Sequence, residues 1–130
     1  MTKTEWDGME LRDKNVLVAE KVMGWIRLEE PVVGLFYWAV GHSANRDYEW
    51  RDADGDLNNP DLTRFTTDRN ACALVLDEIE KRGWWSSYTN RCMYELGIKH
   101  GADRWSAFWG GLRADPDTIC YCAVKAAEDG

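Results

Sequence analysis

The chain reads as an α+β domain, an antiparallel β-sheet layered with about three amphipathic helices in an α/β/α-type sandwich. Three observations predict this. Residues 66–82 carry a helix whose two ends are both written in the sequence. Residues 31–40 and 48–51 are rich in β-formers and separated by short turns. Asp115-Pro116 then opens another capped helix near the end of the chain. With 130 residues, 45% of them hydrophobic and 30% charged, the composition suits one globular domain with a sizeable core. We assign that domain to residues 13–130, behind a flexible N-terminal stretch at 1–12.

In chain order, residues 13–23 (DKNVLVAEKVM) fit a short helix capped by Asp13 and ended by Gly24, with Val18, Val22, Trp25 and Ile26 lining its buried side. Residues 31–40 (PVVGLFYWAV) are the most apolar in the protein. Pro31 and Gly34 argue against helix there, and the aromatic content argues for a strand that is central or packed under a helix. Residues 41–45 read as a polar loop. Tyr48-Glu49-Trp50-Arg51 alternates as a half-buried strand does, and Asp54-Gly55 is a strong turn signal.

The helix at 66–82 has Thr67 or Asp68 as its N-cap, Lys81 and Arg82 at its negative end, and Gly83 to close it. Cys72, Val75, Leu76 and Ile79 lie on one face. Residues 84–95, with Trp84, Trp85, Tyr88, Thr89, Met93 and Tyr94, favour a strand by propensity. Residues 97–103 form a turn, and 104–109 (RWSAFW) another strand ended by Gly110-Gly111. Asp as N-cap and Pro in the first turn start the last helix, whose buried stripe is Ile119, Cys122, Ala123 and Ala126.

The composition also excludes functions. A formal net charge of −7 argues against a broad nucleic-acid-binding face, since phosphate contacts need clustered Lys and Arg. It suits occlusion of a basic partner instead. No apolar run approaches the ~20 residues that cross a bilayer, and the polar N-terminus lacks the apolar centre of a secretory signal. The expected compartment is the cytoplasm. Cys72, Cys92, Cys120 and Cys122 show neither a disulfide framework nor the C-x-x-C spacing of zinc and redox motifs, so they read as reduced structural thiols.

Candidate chemistry is sparse. Asp52, Asp54 and Asp56 around Gly55 invite a calcium reading, but Gly55 is fourth and Thr63 twelfth counted from Asp52. A calcium loop needs glycine sixth and glutamate twelfth, which leaves a solvated hairpin turn. His42 and His100 both fall in predicted loops and need a partner such as Asp103 or Asp47 for acid–base work. Ser86, Ser87 and Ser106 lack the turn that exposes a nucleophile. No phosphate-binding glycine loop, metal ligand set or cofactor motif is present. The eight tryptophans are the remaining signal. Helices over both sheet faces would bury them. With one face open, Trp38, Trp50, Trp84 and Tyr88 would form a contact surface, with Arg91 and Arg104 gripping a phosphate or carboxylate.

Four stretches resemble a family of small bacteriophage proteins, the phage ABA sandwich domain. They are Leu17-Val18-Ala19-Glu20-Lys21-Val22-Met23-Gly24-Trp25, the Trp-x-Asp-x-Asp-Gly turn from Trp50 to Gly55, the Thr67-Asp68 cap with its Val-Leu-Asp-Glu-Ile helix ending in Gly-Trp, and Ala114-Asp115-Pro116-Asp117-Thr118-Ile119-Cys120 followed by Ala123-Val124-Lys125-Ala126. They occur in the family's order over residues 17–127. The apolar insert at 31–40 and the Cys120–Cys122 pair depart from the pattern. The resemblance implies helices on an antiparallel sheet and a phage or prophage origin, with no reaction or cofactor to carry over.

The expected function is that of a non-enzymatic accessory protein. It would bind a host or phage protein in the bacterial cytoplasm through an acidic and aromatic surface, as an anti-defence (anti-CRISPR-like) inhibitor does. The alternative is a nucleotide or small-molecule binding protein with an Arg/Trp pocket at the interface of a homo-oligomer.

Overall fold

The computed structural model describes residues 1–39, 41–60, 62–95 and 114–129. Within them the chain is an α+β domain with five α-helices, a π-helical segment and one antiparallel sheet. The helices are α1 (Lys3–Asp7), α2 (Leu11–Leu17), α3 (Arg69–Arg82), α4 (Trp85–Glu95) and α5 (Pro116–Asp129). The strands are β1 (Ile26–Ala39), β2 (His42–Arg51) and β3 (Leu57–Asn58), in the spatial order β1-β2-β3.

The caps form where the residues call for them. Asp68 accepts from the Asn70 amide at 2.9 Å, and Gly83 closes α3 at φ +72°, a conformation a side chain would oppose. Asp115 accepts from the Thr118 amide at 2.7 Å and starts α5. In the loop between β2 and β3, Asp52 Oδ1 accepts from the amides of Asp54 and Asp56, both at 3.0 Å. That carboxylate therefore closes its own turn.

Helix α5 is the hub, with Ile119, Cys120, Tyr121, Cys122, Ala123, Val124 and Ala126 all buried. Helices α3 and α4 and the π segment (Val18–Val22) pack on it. The expected helix at 13–23 is therefore α2 plus a π turn, in which the Met23 amide reaches Val18 O at 3.0 Å. It starts at Leu11, two residues before the expected cap Asp13, and Glu10 precedes it without a side-chain cap. Gly24 follows at φ +70°, and Ile26 belongs to β1, 68% exposed.

Of the stretch 1–12 set apart as flexible, Lys3–Asp7 form α1 and Leu11 opens α2. Thr2 caps α1, and Trp6 is fully buried against Tyr121, ring centroids 5.7 Å apart. Asp117 on α5 holds this end of the chain: Oδ2 accepts from the Trp6 indole at 3.2 Å and Oδ1 pairs with Lys14 Nζ at 2.9 Å. Lys125 Nζ adds a bond to Met1 O at 2.7 Å. A single tryptophan in a polar decapeptide is a weak periodic signal, and only its long-range partners order the segment.

Residues 85–95 are helix, not strand. Trp85, Tyr88 and Cys92 recur at i, i+3 and i+7, and Tyr88 and Cys92 are buried on α5's side of α4. That period outweighs the β propensity of the aromatics. Residues 42–45 are likewise strand and not loop, paired with β1 up to Ala39↔His42, with Gly41 at φ +78° in the turn. Residues 31–39 do lie in a strand, and among the described residues it is at the sheet's edge. The strand expected at 104–109 and the turn at 97–103 lie outside the described residues.

Candidate functional site

Two surfaces meet at the hairpin β1–β2. The first is the outer edge of β1. The strand order leaves β1 at the margin of the sheet, and no strand among the described residues pairs with its far side. A 14-residue edge strand presents a long row of backbone N–H and C=O groups for pairing. Its register with β2 breaks between Arg27 and Val32, where Glu29, Glu30 and Pro31 sit. Proline and charge at such an irregularity discourage pairing there. Beyond it, residues 32–39 carry no charge, and Val33 and Leu35 are 65% and 50% exposed.

Gly34 sets the local shape of this edge. Tyr48, on β2, lies across it: a Cβ at Gly34 would meet Tyr48 Cε2 at 2.6 Å, and the Tyr48 hydroxyl donates to Leu35 O at 3.3 Å. The ring covers the backbone that glycine leaves bare and stiffens the strand it faces.

The second surface is a polar cleft of about 660 Å³ between the start of α2 and the base of the hairpin. Arg12, Arg27 and Arg46 line it together with the acids Glu10, Asp13, Asp47 and Glu49, beside Trp50 and Asn59. Asn59 accepts from the Glu49 amide at 2.8 Å and donates to Asp47 O at 2.9 Å, so it continues the sheet pairing past β3. Trp50 is buried, and it is the sheet's contribution to the helical core cluster. The Arg27 guanidinium stacks over its ring, 4.8 Å from the centroid. Arg12 approaches Glu49 at 3.8 Å, both side chains largely exposed, a contact that adds little stability.

The six residues expected to form one binding surface are not gathered. Trp50 and Tyr88 are 2% and 1% exposed and belong to the core, so neither presents a ring to a partner. Trp84 is half-buried at the joint of α3 and α4, with Arg82 5.1 Å from its ring centroid. Arg91 lies on α4, 3.8 Å from Asp129, in a shallow recess with Ser87, Asn90 and Tyr94. Trp38 belongs to β1, but its side chain lies outside what the structure describes, as does that of His42; Arg104 and His100 lie outside the described residues altogether.

Sequence reasoning passed over Arg27, Arg12 and Arg46, which are isolated basic residues in an acidic chain with no motif around them. The exposed β1 edge was signalled by its apolar content, but an apolar strand reads as buried when sequence is the only guide. Among the described residues, no group of three or more His, Cys, Asp or Glu side chains converges as a metal ligand set, and no helix is long and apolar enough to cross a membrane.

No family model matches this chain, and searches of the curated proteins and of the solved structures likewise find no match.

Proposed function

We propose that the protein is a non-enzymatic binding module that takes up an extended segment of a protein partner along the edge of β1 that no strand among the described residues pairs. The observation that supports this reading is the uncharged run at 32–39, with Val32, Val33 and Leu35 exposed, on a strand edge that no strand among the described residues pairs. Backbone pairing would supply affinity, and alternate side chains against Val33 and Leu35 would supply specificity. Exposed Glu29 and Glu30 at the break in register favour a partner strand that ends in basic residues. The resemblance to phage ABA sandwich proteins supplies the setting: a phage or prophage product acting on a host factor, including a defence component, in the bacterial cytoplasm.

A photo-crosslinking residue placed at Val33 tests this. In cells that make the protein it should yield an adduct with one macromolecule, while the same residue at exposed Leu74 on α3 yields none. Val33→Lys should abolish capture of that partner and leave the melting temperature within a degree or two, as surface changes do. Adducts at Leu74 alone, or capture untouched by Val33→Lys, would remove the β1 edge from the reading.

The stack of Arg27 on Trp50 favours a second reading, binding of a nucleotide or another anionic small molecule in the cleft. Placed 4.8 Å over the indole and exposed, the guanidinium would be available to a phosphate or carboxylate. Thermal-shift screening with nucleotides should then show stabilisation that Arg27→Ala abolishes; equal shifts in both proteins would dismiss the cleft.

A further inference from the structure

Hydrogen bonding along β2 fixes which backbone groups β1 turns outwards. In an antiparallel pair, residues directly opposite each other exchange both N–H···O bonds or neither, in alternation. The Glu49 amide donates to Asn59 Oδ1 at 2.8 Å, and Asp47 O accepts from Asn59 Nδ2 at 2.9 Å. Residues 47 and 49 therefore spend their backbone groups away from β1, and residues 46 and 48 turn theirs towards it. The partners of those two, Gly34 and Val32, bond to β2. Val33, Leu35 and Tyr37 are left with backbone groups on the outer side. The Tyr48 hydroxyl agrees with this parity, since it crosses Gly34 and donates to Leu35 O at 3.3 Å.

The outer row is complementary to itself. Turned antiparallel about a two-fold axis at Leu35, two copies set Leu35 opposite Leu35 and residue 33 opposite residue 37, each pair exchanging both backbone bonds. Leu35 O has a second lone pair for the bond across the axis. The exposed Leu35 side chains then meet on the outer face of the joined sheet. Pro31, which lacks an N–H, and the break in register between Tyr37 and Ala39 bound this stretch at its two ends. Glu29 and Glu30 of the two copies lie at opposite ends of the ladder. In-register parallel pairing would instead set each beside its counterpart, where like charges repel.

We propose that a second copy of this chain caps the edge, as an antiparallel β1–β1 pair centred on Leu35 that a partner segment must displace. This inference rests on the reading of β1 as a pairing edge and adds its regulation, because at high concentration the protein occupies its own site. Each copy carries a formal net charge of −7. Repulsion between copies opposes the pair, and salt strengthens it by screening that repulsion.

Sedimentation velocity of the full chain tests the inference. The mass should rise with concentration from 15.0 kDa towards twice that value, more readily at high salt than at low, and Val33→Lys should hold it at 15.0 kDa. Under mild oxidation Leu35→Cys should give an intermolecular disulfide, since directly paired Cα atoms about 5.5 Å apart fit one. Leu74→Cys, exposed on α3, should stay reduced, and the native thiols are buried. A mass of 15.0 kDa at every concentration and salt overturns the inference. So does a dimer that Val33→Lys leaves intact, or crosslinking as fast at position 74 as at 35. If the chain stays monomeric while the probe at Val33 still captures a foreign macromolecule, the self-pairing alone falls and the pairing edge stands. A dimer whose Val33 adducts join only copies of this chain upholds the self-pairing and removes the foreign partner.

Discussion

At the scale of single residues, Asp117 carries more than its position suggests. Its two oxygens hold Trp6 on α1 and Lys14 on α2 against α5, and the Lys14 side chain is only 10% exposed. Asp117→Ala leaves a nearly buried ammonium and an indole N–H without their acceptor. A loss of about 1–3 kcal/mol is expected, read as a lower urea midpoint with unchanged slope. Gly34 is the second such residue. Gly34→Ala must push the Tyr48 ring away from the strand, and overpacking of this kind costs about 1–3 kcal/mol. Amide exchange should quicken across residues 32–37 and 43–48 while α3 and α5 keep their protection.

At the scale of elements, α4 is where local preference and tertiary demand disagree. Its aromatics favour strand, but only a helix places Trp85, Tyr88 and Cys92 on one side, with exposed Asn90 on the other. Asn90→Ala should therefore stabilise the protein by about 0.5 kcal/mol, because alanine is the better helix former. Asn90→Pro should cost about 3 kcal/mol or more by removing a helical hydrogen bond. Thermal unfolding of the two variants checks both, and a destabilised alanine variant would contradict the helix. Strand β1 shows the converse case, since its propensity reads correctly while its surroundings do not. An apolar run on both faces is what a buried central strand looks like. In the sheet of the described residues it is an edge, blunted by Glu29, Glu30 and Pro31 at the break in register.

Across the whole molecule, stability should be bounded by acid and alkaline limits of different origin. The amide of Thr118 holds the Asp115 carboxyl below its usual range, with burial opposing. A depressed carboxylate pKa stabilises the fold above the ordinary value of about 3.9, and that contribution disappears as pH falls through the folded value. Burial pushes the Tyr121 phenol up to about 12, and Tyr88, deeper in the core, is shifted upwards as well, chiefly by burial. Raised pKa values stabilise the fold below about pH 10 and are lost as pH rises through the folded values. The melting temperature should therefore fall steeply between about pH 10 and about pH 12, together with the rise of phenolate absorbance. Titration of all five tyrosines near pH 10 with no loss of structure would refute the burial of Tyr88 and Tyr121.

What the amino-acid order determined unaided is what acts over a few residues. Asp68 and Gly83 bound α3, Asp115-Pro116 starts α5, and Asp52 with Gly55 makes the turn into β3, because a cap or turn is completed by neighbours along the chain. The α+β class followed from the same signals. Tertiary structure decided everything that required knowing which surface covers which. It placed Trp6 and Tyr88 in the core, left Val33 and Leu35 outside, and set Arg27 over Trp50. Burial depends on the sum of all neighbours, and those neighbours come from segments whose meeting no local pattern records.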